Sequence, residues 1–148
     1  MITKVVQNRQ YQEQQIKQIR DQLMLLVELV DEFSLTANID AITFEPNLPE
    51  DITNSFSKFT LFSFANYTFE SIILTDEYIS FEAGFGEENI GSIVKIPYIA
   101  IFQIIVDESI LYINPSATMI IKKIEEIDQE QRSKNAFTMN KKNKNLLD

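Results

Sequence analysis

The sequence predicts a mostly β, α+β domain: a small β-sandwich or half-open barrel behind a long N-terminal helix, followed by a short C-terminal helix. Three observations carry this. Gly and Pro are absent from residue 1 to residue 45, and Gln, Glu, Lys, Arg and Leu dominate the first thirty-three positions. The block from Ala37 to Ile113 breaks into short runs of β-formers separated by turn residues. Helical spacing then returns at Ile120, Ile121, Ile124 and Ile127. With 148 residues, 45% of them apolar, the chain supports one domain with a real core.

Residues 1–34 read as one long helix, about 45 Å at roughly 1.5 Å per residue. Ile16, Ile19, Leu23, Leu26, Val30 and Phe33 follow a 3-4-3-4-3 spacing, the a/d seam of a heptad. Extended backward, that register meets Gln12 and Arg9, so the seam weakens toward the N-terminus. Met24, Leu25, Val27 and Leu29 widen the apolar surface of the second half. A helix of this kind packs on its own domain's core, or packs there with one face while another pairs with a second copy. The length and the extra apolar stripe favour the second arrangement. The expectation is a homodimer whose interface includes Ile16, Ile19, Leu23, Leu26 and Val30.

The body, 35–116, reads as about six short strands. Ala37 to Phe44 is one, stopped by Glu45-Pro46; Asn47 to Ser57, with Pro49, is a loop. Phe59 to Phe64 and Phe69 to Leu74 follow, then the turn Thr75-Asp76-Glu77. From Tyr78 to Phe85, Ile79, Phe81, Ala83 and Phe85 alternate with Ser80, Glu82 and Gly84, so one face is core and the other is not. Ser92 to Ile96 leads to Pro97, and Tyr98 to Val106 is nearly continuous apolar, a strand or a short buried helix. Asp107-Glu108-Ser109 turns the chain into Ile110 to Ile113. Asn114-Pro115-Ser116 opens a short amphipathic helix over 117–130. The remaining 131–148 read as a flexible basic tail with 5 basic residues against 1 acidic.

Charge and inventory narrow the function. The chain carries 13 basic and 22 acidic residues, and 35–121 hold only Lys58 and Lys95 against 12 acidic groups. A body this acidic repels phosphate backbones and disfavours nucleic acid. Cys, His and Trp are absent, which excludes a Cys/His zinc site, a thiol nucleophile and imidazole acid–base chemistry. No run approaches the roughly 20 apolar residues of a membrane span. The polar segment Met1 to Gln22 has no apolar signal-peptide core, so a cytoplasmic location is expected. The acidic pairs Asp76/Glu77, Glu87/Glu88 and Asp107/Glu108 fall in turns, where adjacent carboxylates point apart into water. They also lack the loop spacing of a calcium site. Gly84-x-Gly86 has neither the following helix nor the Lys of a phosphate loop, and reads as relief for a bend or bulge. No catalytic residue, metal or cofactor is expected, and binding is the default.

The order of landmarks extends this reading. LVELVDEFSLTANID (Leu26 to Asp40), the Pro-containing loop Glu45 to Pro49, FTLFSFA (Phe59 to Ala65), SIILTDEYISFEAGFG (Ser71 to Gly86) and the Ile96-Pro97 step occur in sequence. This block, Leu26 to Ser116, resembles the stringent starvation protein B (SspB) family, bacterial adaptors that deliver tagged proteins to the ClpXP protease. The resemblance implies an Sm-like sandwich, a homodimer made by the helix, and a groove for extended peptides. It also implies a C-terminal tail that docks on ClpX. Carried across by position, Ala65, Ser80 and Glu82 line the groove. The chain departs from the family where basic residues flank the groove: Ser80 and Gly84 stand there, and Glu82 is added. Its tail is short and basic, with Lys141, Lys142 and Lys144 before Leu146-Leu147-Asp148, instead of long and acidic. Client peptides are therefore expected not to be strongly acidic.

Overall fold

The computed structural model describes residues 1–119. The helix expected over 117–130 is represented there only by its first residues, and the expected tail 131–148 lies outside the described residues.

The N-terminal segment is two helices, not one. α1 spans Ile2–Val6 and α2 spans Arg9–Leu29. Asn8 makes the break: its backbone is extended and its side chain accepts a hydrogen bond from Tyr11 N at 2.9 Å, capping α2. Gln12 ties the pieces together by donating to the Val6 carbonyl at 3.0 Å. α2 ends at Leu29 because Val30 is already extended, and Phe33 belongs to the first strand. The heptad register continues through Val30 and Phe33 in sequence alone; the backbone has left the helix by then.

Two antiparallel four-stranded sheets form the body. The first runs β3 (Phe59–Phe64), β1 (Phe33–Asn38), β7 (Ile101–Val106), β8 (Ser109–Ile113). The second runs β2 (Thr43–Glu45), β6 (Ile90–Pro97), β5 (Tyr78–Phe85), β4 (Ile73–Leu74). The chain passes between sheets at two 3-10 corners, Ile39–Ala41 after β1 and Tyr98–Ala100 after β6. The strand expected over Ala37 to Phe44 is therefore broken, with the Asn38 side chain accepting from Asp40 N at 3.1 Å in the corner. Tyr98 to Val106 combines both expectations, a corner and then a strand. The loop Asn47 to Ser57 contains the single turn α3 (Glu50–Thr53), and Phe69 to Leu74 is mostly not strand: α4 covers Asn66–Glu70, leaving only Ile73–Leu74 as β4.

Alternation puts Phe33, Leu35, Ala37, Phe62, Phe64 and Ile104 on the inner face of the first sheet. From the second sheet, Ile79, Phe81, Val94 and Ile96 meet them. The Phe64 and Phe81 rings pack edge-to-face at 4.6 Å, joining the layers. Ile19, Leu23 and Leu26 of α2 complete the same buried cluster, with Ile16 and Val30 packed at its border. Of the five side chains expected at a dimer interface, Ile19, Leu23 and Leu26 are instead spent on the chain's own core, where each fully buried Leu or Ile contributes roughly 1.5–3 kcal/mol, and Ile16 and Val30 stay half-buried beside it. The face of α2 left exposed holds Leu25 and Leu29 instead, with Met24 on a flank. No helix among the described residues is long and apolar enough to cross a membrane.

Candidate peptide-binding cleft

The outward face of the second sheet holds the candidate site. Its rows follow from register: Glu45 of β2, Ile93 of β6 and Glu82 of β5 lie side by side, and Gly91 of β6 stands opposite Gly84 of β5. Next to them α4 begins abruptly, because Asn66 takes a left-handed backbone, φ 52°. Tyr67 of α4 donates its phenol proton to the Glu82 carboxylate. That hydrogen bond and the carboxylate's charge hold the Tyr67 phenol above the usual tyrosine range.

Ser71 fastens α4 to the sheet. Its hydroxyl accepts from Glu82 N at 2.9 Å and donates to the Thr68 carbonyl at 2.7 Å. It does so because β4 is too short to reach. β4 pairs with β5 only at Leu74–Ile79 and Ile73–Ser80. Past Ser80 no described strand pairs with that flank of β5, and Ser71 satisfies one amide there.

Between α4 and the sheet opens a cleft of about 560 Å³, lined by Glu45, Tyr67, Thr68, Glu82, Gly84 and Ile93 among others. No Lys or Arg lines it, so its field is negative. The two glycines differ. A Cβ on Gly91 would meet nothing within 4 Å, so the floor is open there; a Cβ on Gly84 would lie 1.9 Å from Asn89 Oδ1, whose amide rests over it. Lys95, on the same face, sits apart over the Tyr78 ring at 5.4 Å from its centroid.

Of the three residues carried over for a groove, only Glu82 lines this cleft. Ser80 shares its face by alternation but is 8% exposed, beside Ile73 of β4. Ala65 faces a different hollow, of about 220 Å³, with Ser34, Ser63 and Ile105 on the first sheet. Sequence reading missed Tyr67, Thr68, Ser71 and Gly91, because 69–74 read as strand and hid the helical turn that carries the first two. The left-handed Asn66 is the one local hint, since Asn tolerates that conformation. A second open groove, about 1120 Å³, runs between α2 and β4, with Asp21, Glu28, Glu70 and Asp76 around Met24 and Leu74. Among the described residues, no group of three or more metal-ligating side chains converges.

Fold and cleft together define an α+β protein of two antiparallel four-stranded sheets with an N-terminal helix and an open acidic furrow on one sheet. The chain matches no protein-family model, no curated protein and no solved structure.

Proposed function

We propose that this chain is a non-enzymatic peptide-binding adaptor, similar in kind to the SspB family, holding extended segments of client proteins for a protease or unfoldase. The observation that carries this reading is the flank of β5 past Ser80, which no described strand pairs and where Ser71 takes the Glu82 amide, beside a cleft floored by two glycines. An extended segment laid there gains main-chain partners from the strand and a shallow apolar strip at Ile93. Glu45 and Glu82 select basic or neutral clients over acidic ones. Delivery to ClpX through the basic tail belongs to the same proposal, as does pairing of two copies. With the heptad seam buried, that pairing falls to Leu25 and Leu29. Those two exposed leucines also favour a second reading, an assembly module that dimerises through α2 and uses the β-body as a spacer.

Fluorescence anisotropy separates the readings. Two labelled ten-residue peptides are titrated, one alternating Lys with Leu or Val and one alternating Asp with the same residues. The adaptor binds only the first, more weakly at high salt, and Glu82→Lys weakens it about tenfold, or about 1.4 kcal/mol. An assembly module binds neither, while Leu25→Asp with Leu29→Asp lowers its mass in light scattering. Equal binding of both peptides, unaffected by Glu82→Lys, overturns the adaptor.

A further inference from the structure

The outer face of the first sheet carries no charge in its two central rows, where the outer face of the second is acidic. Register places Leu61, Thr36, Gln103 and Ile113 in one row across all four strands, and Ser63, Ser34, Ile105 and Ile110 in the next. Two cross-strand hydrogen bonds fix these rows on one side: Thr36 Oγ1 donates to Gln103 Oε1 at 3.1 Å, and the Ser34 and Ser63 hydroxyls are 3.2 Å apart. The rings of Phe59 of β3 and Phe102 of β7 pack at a tilt with centroids 4.8 Å apart, although β1 lies between their strands. Both rings therefore lie over β1 at one end of this face. Leu61, Ile110 and Ile113 are 57%, 53% and 51% exposed, and β8 is an edge strand. An uncharged face flanked by exposed apolar side chains on both edge strands is a surface that folded chains cover.

The chain itself arrives there. Asn38, last residue of β1, points to the same side as Ser34 and Thr36 by alternation. It is fully buried, and its amide donates to the carbonyls of Ala117 and Met119 at 3.0 and 3.1 Å. The last described residue is thus anchored at the Phe59–Phe102 end of the face. The next eight residues are IIKKIEEI, with Ile120, Ile121, Ile124 and Ile127 at helical spacing.

We propose that the chain's own segment 120–127 covers the outer face of the first sheet, setting its isoleucines on Leu61, Ile110 and Ile113. The anchor at Met119, the apolar periodicity that follows it and the apolar side chains of β3 and β8 left exposed among the described residues are three independent observations meeting at one place. The segment is part of the folded body under this proposal, and the acidic cleft on the other sheet is left clear of it.

Amide hydrogen exchange on the full chain tests this. Amides of 121–127 exchange at least about 100-fold slower than in an unstructured chain, and Ile124→Asp returns them to unstructured rates without changing exchange in β5 and β6. Rapid exchange of 121–127 in the natural chain overturns the proposal. Because the chain has no cysteine, a second readout is direct. Ile113→Cys with Ile124→Cys closes an intrachain disulfide under mild oxidation, whereas Ile73→Cys with Ile124→Cys, across the molecule, does not. Equal closure of both pairs, or disulfides formed only between chains, overturns it; the latter assigns the face to a second copy.

Discussion

Leu23 and Leu25 stand two positions apart on α2 and live in different worlds. Leu23 is fully buried in the cluster with Phe64 and Phe81, while Leu25 is 54% exposed beside Leu29. The helix thus has an inward stripe that the body needs and an outward stripe left largely exposed. The same division recurs at paired positions elsewhere: Tyr98 against Tyr67, and Gly84 against Gly91. Residue type fixes neither role; the second contact partner does.

The largest effect expected from this contrast is at the leucines. Leu23→Ala costs about 2–5 kcal/mol, removing buried methyl groups and leaving a cavity, whereas Leu25→Ala stays within about 0.5 kcal/mol. Urea unfolding measures both, and similar losses at the two sites would break the contrast.

The tyrosines come next. Burial pushes the Tyr98 phenol up to about 12, with the Arg20 charge opposing and the Asp76 charge adding to the shift. Its hydroxyl donates to the Thr75 carbonyl at 2.5 Å. The unfolded chain ionises this phenol near pH 10 while the folded chain keeps it neutral, so its contribution is complete below pH 10. It is lost as pH rises toward 12, with a slope of at most about 1.4 kcal/mol per unit. Tyr98→Phe removes that slope from thermal unfolding curves taken between pH 9 and 12; a slope that survives the substitution belongs to other groups.

The glycines give the smallest effect and the finest distinction. Gly84→Ala drives a methyl into the Asn89 amide and costs about 1 kcal/mol, the low end for overpacking because the amide is free to swing aside. Gly91→Ala is within about 0.5 kcal/mol of neutral, yet it raises the cleft floor and weakens peptide binding in the anisotropy titration. Equal stability losses at both glycines would mean that the floor is closed.

Much of the body was legible in sequence. Phe59 to Phe64 and Tyr78 to Phe85 alternate and match β3 and β5. The turns after Leu74 and Val106 also fall where the sequence puts them, with Asp107 in a left-handed turn at φ 50°. Periodicity reports local contrast between faces, and these strands have such contrast. It failed where a local side-chain hydrogen bond decided the backbone. Asn8 splits the helix and Asn38 turns the strand at 38–41. Ser71 takes over from a strand that stops at two residues. The candidate cleft was less legible still. Glu82 is found from alternation, but Tyr67 and Thr68 reach it through a helical turn hidden in a run of β-formers. The heptad seam was real as a pattern, but Ile19, Leu23 and Leu26 of it face the chain's own core, and an inward stripe and a partner-facing stripe have the same spacing.

The two amide hydrogen bonds from Asn38 to Ala117 and Met119 have a consequence for synthesis. A nascent chain released up to residue 113 has all eight strands outside the ribosome, yet the terminus of its first strand still holds a polar group with no protein acceptor. Burying that group unpaired costs roughly 1–3 kcal/mol. The first strand's terminus is therefore satisfied only once Ala117 and Met119 have emerged to accept from Asn38.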